Sequence, residues 1–217
     1  MIKAVIFDMD GLMFGTEKLA LEGWLKASRQ LNYPITEETV EMIRGKNEND
    51  SKKIFNTLFG KTVNYDKAKT IKDKYILDTV ETYGVPIKKG LLELIKYLKE
   101  KNIKMAVATS TAEEKAKKLL ELAQINNYFE CCTFGDRVRK GKPNPEIYIK
   151  TMTQLKVLPN ECVLLEDSPN GVIGGHSAGI KVFLVPDLSA PTQEIKEMAS
   201  YICSDLLKAK ESIEKLI

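Results

Sequence analysis

Asp8 and Asp10 stand two residues apart at the end of a short apolar run, residues 2–7, and Gly11 follows them. Two further runs end in polar groups. Residues 104–108 lead into Thr109 and Ser110, and residues 162–165 lead into Glu166 and Asp167. Lys142 sits between Gly141 and Pro143, where Pro143 restricts its backbone and Asn144-Pro145 sets the start of a helix, so its ammonium can be aimed consistently. The sequence has one histidine, which leaves little room for triads, histidine phosphotransfer or the commonest zinc sites. If the chain is an enzyme, carboxylates carry most of its chemistry. An Asp-Gly pair alone is a common turn. An EF-hand is excluded because Gly11 falls at the fourth loop position rather than the sixth. Gly60-Lys61-Thr62 imitates the end of a P-loop, but Phe55 occupies the place of its first glycine.

The elements that must position these groups are readable. Residues 2–7, 104–108, 162–165 and 181–185 are aliphatic runs suited to strands buried on both faces, with 131–134 and 201–203 as weaker candidates. Helical patterns alternate with them. Leu91, Ile95 and Leu98 share a face, Thr111 with Glu114 reads as a capping box for 112–123, and Asn144 caps a helix opened by Pro145. This alternation implies a parallel sheet with crossover helices. Residues 15–82 break the rhythm with four helical patterns, 16–31, 37–44, 50–59 and 66–83, and no convincing strand. The expected fold class is therefore α/β: a three-layer Rossmann-like parallel sheet core, residues 1–14 and 83–217, with an inserted all-α helical cap, residues 15–82. Ligands of such sheets bind at the carboxyl ends of the strands, where four carboxylates, a hydroxyl and helix N-termini are expected to converge.

Composition bounds the partners. In 217 residues, 33 Lys and Arg against 30 Asp and Glu leave only +3, interspersed, which gives no basic stripe for nucleic acid. No apolar stretch approaches the roughly 20 residues of a membrane span, and the N-terminus lacks a signal-peptide pattern. A cytoplasmic protein without a membrane partner is expected. The four cysteines form no C-x-x-C and read as reduced thiols. Nothing in the sequence calls for more than a monomer.

FDMDG (7–11), VATS (107–110), GKPNPEIY (141–148) and LLEDSPNG (164–171), in this order, resemble the four motifs of the haloacid dehalogenase superfamily. The closer likeness is to its phosphatases and phosphomutases similar to β-phosphoglucomutase, which carry a helical cap between the first two motifs. The resemblance implies Asp8 as nucleophile and Asp10 as general acid and base. It implies Mg²⁺ held by Asp8, the Asp10 backbone carbonyl and Glu166 or Asp167. Thr109, Ser110 and amides at the start of the next helix would bind phosphate oxygens, and Lys142 would neutralise nucleophile and phosphate together.

An acid at Asp10 suits the departure of an alcohol or sugar oxygen, so a small phosphorylated metabolite is the expected substrate. Mutases of this group carry a histidine early in the first cap helix and an arginine after the cap-loop glycine; here those positions read Ala20 and Glu48. Hydrolysis is thereby favoured over a phosphosugar mutase. A catalytically weak binding protein is a third reading, and only Gly15, where most relatives carry Asp, speaks for it. Arg44, Lys46 and Asn47 around Gly45 form the candidate specificity loop, or else a solvated turn. His176 reads as a helix-surface residue.

Overall fold

The computed structural model describes residues 1–188 and 190–217. Six strands form one parallel sheet: β1 (Ala4–Phe7), β2 (Lys104–Thr109), β3 (Cys131–Phe134), β4 (Cys162–Glu166), β5 (Lys181–Leu184) and β6 (Tyr201–Ile202), in the order β3-β2-β1-β4-β5-β6. Side chains of β1 alternate between two cores. Val5 and Phe7 enter the one containing Leu94 and Leu165, whereas Ala4 and Ile6 enter the one containing Tyr148 and Leu164. This period of two explains why a strand buried on both faces reads as an unbroken apolar run. The chain builds outward from β1 through β2 to β3, then returns to place β4, β5 and β6 on the other side. The direction of construction therefore reverses between β1 and β4, and the carboxyl ends flanking that reversal carry Asp8, Glu166 and Asp167.

Between β1 and β2 lie α1 (Thr16–Leu31), α2 (Glu37–Ile43), α3 (Glu48–Phe59), α4 (Tyr65–Tyr83) and α5 (Leu91–Glu100). Later crossovers supply α6 (Glu113–Leu122), α7 (Glu146–Leu155), α8 (Pro169–Ser177), α9 (Gln193–Met198) and α10 (Leu206–Glu214). The first four helices own a third core in which Trp24, Phe55 and Tyr65 pack with ring centroids 5.0–5.6 Å apart. Thr36, Asn47 and Asn64 each accept a backbone N–H in the first turn of α2, α3 and α4, which fixes where these helices begin. The four cysteines are free thiols, two buried and two half-buried. Among the described residues no helix is long and apolar enough to cross a membrane.

The capping box expected at Thr111 and Glu114 is not formed. α6 starts at Glu113 with Ala112 in the capping position and no side-chain cap, because the Thr111 hydroxyl is engaged elsewhere. Asn144 does accept the Glu146 N–H at the start of α7, with Pro145 just outside the helix.

Candidate active site

Asp8 is buried at the end of β1, and its amide donates to Leu165 O of β4 at 3.0 Å. The chain then turns at Gly11 with φ +88°, and a Cβ there would lie 2.0 Å from Asp167 Oδ2. Glycine is required on both counts. Lys142, wholly buried before α7, donates to Asp8 Oδ1 at 2.5 Å and to Glu166 Oε1 at 2.6 Å. The Tyr148 hydroxyl on α7 donates to the same Glu166 oxygen at 2.8 Å. Glu166 Oε2 accepts the Asp167 amide, the Ser168 amide and the Ser168 hydroxyl, each at 3.0 Å. Ser168 also caps α8 by accepting the Gly171 N–H.

These contacts settle the charges. Burial opposes ionisation of Glu166, but the ammonium of Lys142 and the surrounding donors hold its carboxyl below the usual range. Burial likewise opposes the charge on Lys142, and Asp8 with Glu166 lifts it well above the ordinary lysine value. Asp8 and Asp167 have fewer donors. Burial pushes both well above the usual carboxylate range; Lys142 opposes this at Asp8, and neighbouring carboxylates reinforce it at both.

One oxygen from each of Asp8, Glu166 and Asp167 can be chosen so that all lie within 4.8 Å of one another. Asp167 Oδ1 is buried and has no hydrogen-bond partner among the described residues. Hard oxygen donors gathered this closely, with one orphaned, fit a divalent ion such as Mg²⁺. Glu166 has every oxygen engaged, whereas Asp167 has one to offer. The carboxylate of Asp10 lies outside this cluster. Its oxygens accept the Thr16 hydroxyl at 2.5 Å and the Thr111 hydroxyl at 2.7 Å. Thr16 opens α1 and Thr111 precedes α6, so the cap and the sheet each hold one side of Asp10.

Above these groups lies a cavity of about 510 Å³ lined from both layers. Asp8, Asp10, Thr109, Ser110, Lys142 and Asp167 face it, as do Arg44, Gly45 and Lys46 of the cap loop. The Ser110 hydroxyl donates to Gly45 O at 2.9 Å, joining cap loop to strand end. Asn47 has another place: its oxygen caps α3, and its amide nitrogen lies where a side chain at Gly141 would stand, 2.1 Å from that Cβ position. His176 is on the exposed face of α8. Gly15 has φ −75° and no steric need for glycine, because an added Cβ would meet Pro86 at 3.7 Å.

Several site residues carry no recognisable sequence signal. Tyr148 closes the GKPNPEIY run without a site role of its own, and Thr111 reads as a cap. Glu17, whose side chain is 13% exposed, lies 3.7 Å from Arg44 and also lines the cavity. Burial, then the charge of Asp10, pushes its carboxyl up to about 7. Its only hint was its place in the first turn of a helix that follows Asp10.

A parallel sheet with paired aspartates at the central strand end, a buried lysine across from them and a helical cap above defines a class of carboxylate-based hydrolases. A family model described as haloacid dehalogenase-like hydrolase matches residues 5–185, and the chain belongs to that family. A phosphorylated carbohydrates phosphatase of Thermotoga maritima is 34% identical over 182 residues, covering 83% of each chain. The β-phosphoglucomutase of Bacillus subtilis is 28% identical over 187 residues, covering 82% of this chain and 81% of the relative. Among solved structures, the CbbY protein of Rhodobacter sphaeroides with xylulose-1,5-bisphosphate superposes with a TM-score of 0.83 over 95% of each chain; at 23% identity it speaks for the fold.

Proposed function

We propose that the chain is a Mg²⁺-dependent phosphatase that hydrolyses a small phosphate monoester, a sugar phosphate or related metabolite, through an aspartyl phosphate on Asp8. The observation that carries this reading is Lys142 bridging Asp8 and Glu166 at the floor of a cavity that also holds Asp10. In the first step an Asp8 oxygen attacks phosphorus, the ester P–O bond breaks, and Asp10 gives its proton to the leaving oxygen. In the second step Asp10 takes a proton from water as that water attacks the phosphorus of the aspartyl phosphate, which releases inorganic phosphate and restores Asp8. Lys142, Thr109, Ser110 and the amides preceding α6 hold the phosphoryl oxygens and stabilise the charge that spreads over them. The residues suited to Mg²⁺ are Asp8, Asp167 and the Asp10 backbone carbonyl, with Glu166 aiming Lys142. When bound there, Mg²⁺ supplies the positive charge that lets a phosphate approach several carboxylates. The cap over the cavity excludes bulk water during transfer. A single chain contains every group this cycle uses.

The relatives' names bear on the reaction in two directions, phosphatase and mutase. Ala20 and Glu48 both line the cavity, and neither offers the cation a mutase would use to grip a second phosphate in two orientations. They support hydrolysis. The test is phosphate release and product-isomer analysis over a panel of sugar phosphates, with and without Mg²⁺. The parent should release phosphate only with the metal, and Asp8→Asn should lose about 10³-fold or more of that activity. Release that persists in Asp8→Asn would remove Asp8 as nucleophile, and isomer formation primed by a bisphosphate would replace hydrolysis with mutation.

A further inference from the structure

The loop between α2 and α3 rests on the core at three places. Gly45 O accepts the Ser110 hydroxyl at 2.9 Å, a Cβ at Gly45 would stand 3.3 Å from Ser168 Oγ, and Asn47 faces Gly141. The third contact is the tightest. Asn47 belongs to the cap and is buried, and a Cβ at Gly141 would lie 2.1 Å from its Nδ2 and 2.8 Å from its Cγ. The amide cannot swing aside cheaply, because Asn47 Oδ1 accepts the Asp50 N–H at 2.9 Å and so caps α3. Gly141 cannot retreat either. Glu146 accepts the Arg139 and Lys140 N–H groups, one on each carboxylate oxygen at 3.0 Å, and Gly141 O accepts the Asn144 N–H at 2.9 Å. These hydrogen bonds brace the segment before and after Gly141, and the next residue is the buried Lys142. The backbone of Gly141 is outside the left-handed region, so conformation does not call for glycine there. The approach of Asn47 does.

We propose that Asn47 is a positioning residue whose seat is Gly141: this contact sets the height of the cap loop above Lys142. It acts through its neighbours, since Arg44, Gly45 and Lys46 line the cavity. It rests on the phosphatase reading only for its consequence in rate, and goes beyond it by naming the contact that fixes the two layers in register. A methyl at Gly141 would need an ordinary contact of about 3.5 Å in place of 2.1 Å, so the loop would have to withdraw by more than about 1 Å. Asp50 Oδ2, 3.2 Å from the same point, ends a side chain that is 35% exposed and can give way. Withdrawal of the loop would break the bond from Ser110 to Gly45 O. Because Glu146 and Asn144 hold the core side, the cap loop is the part that moves, and Lys142 stays on Asp8 and Glu166.

The test is a double-mutant cycle between Gly141→Ala and Asn47→Ser, in which serine keeps the cap of α3 and removes the amide that the new methyl would meet. Two quantities are measured with Mg²⁺ present: hydrogen exchange across residues 44–47, and kcat/KM for p-nitrophenyl phosphate. Gly141→Ala should raise exchange in that loop about tenfold and lower kcat/KM about 10- to 100-fold, since about 1 Å of misplacement can cost as much. Adding Asn47→Ser should bring both back to within about threefold of the parent, because the methyl then fills the room the amide leaves. Gly141→Ala indistinguishable from the parent in both measurements would overturn the seat. So would a loss that Asn47→Ser does not relieve, because the methyl would then disturb the turn at Lys142 rather than the cap. Where Gly141→Ala alone does not fold, the double variant decides, folding as the seat requires or failing and overturning it. A parent that releases no phosphate removes the reaction and leaves hydrogen exchange to decide the contact.

Discussion

Replacing Glu17 by Gln should make the protein more stable at neutral pH and erase part of its pH dependence. Glu17 is held by burial, reinforced by the charge of Asp10 and opposed by Arg44, at about 7 rather than 4.5. A carboxyl whose folded value lies above its unfolded value binds more protons when folded between those limits. Its stabilising contribution is complete below pH 4.5 and is lost as pH rises through about 7. The interval corresponds to about 3 kcal/mol, and the low exposure of the side chain calls for little discount for solvent screening. Gln has nearly the same shape and no charge to desolvate. The gain of Glu17→Gln over the parent should therefore be about 3 kcal/mol larger at pH 8 than at pH 4. Urea unfolding between pH 4 and 8, with a chelator present, measures this through circular dichroism and the fluorescence of the single tryptophan, Trp24, in the cap. Titrating groups remote from Glu17 cancel in the comparison, and Asp167, whose carboxyl the Glu17 charge helps to raise, adds in the same direction. Stability curves that run parallel across that pH range would refute the reasoning, as would a variant less stable at pH 8 than at pH 4 relative to its parent.

Three further outcomes follow from the site. Tyr148→Phe removes a buried donor from Glu166 and should cost about 1–3 kcal/mol in unfolding free energy while raising the Mg²⁺ concentration needed for half activity about tenfold; an unchanged metal titration would separate Tyr148 from the metal cluster. Thr111→Val frees one oxygen of Asp10 and should lower kcat about tenfold with rescue by Thr111→Ser, and full activity in the valine variant would show that Thr16 alone aims Asp10. Gly15→Asp should fold and change stability by less than about 0.5 kcal/mol, because the backbone is unstrained but not in the extended geometry of a good cap; a tenfold change in kcat would instead tie this junction to the positioning of Asp10.

The parts of this molecule legible in the sequence are those fixed by the backbone. A strand buried on both faces reads as an apolar run, so the ends of β1, β2 and β4 could be located, and with them Asp8, Thr109, Glu166 and Asp167. The four cap helices were legible from their periodicity, and Thr36 marked the start of α2. Thr111 was misleading because a capping box is a local pattern, whereas its actual acceptor, Asp10, is 101 residues away in sequence and only the folded sheet brings it near. The choice between Glu166 and Asp167 was open for the same reason. The donors that engage Glu166 come from Lys142 before α7, Tyr148 within it and Ser168 before α8, and their convergence leaves Asp167 with the orphaned oxygen.

Glu17 and Lys72 carry this argument furthest. In sequence each is one charged residue among many on a cap helix, and charges on helices are ordinarily solvated. In the fold both are largely withdrawn from water, both titrate away from their ordinary values in the direction that marks an unfavourable charge, and both line one cavity. An apolar residue at either place would cost less to bury. Both stand in the cavity of the proposed site, Glu17 as an acceptor within reach of the Asp10 charge and Lys72 as a cation beside Lys115. In the proposed reading the strand ends supply the groups that act at phosphorus, while the cap helices, through side chains whose facing only the fold reveals, line the cavity above them.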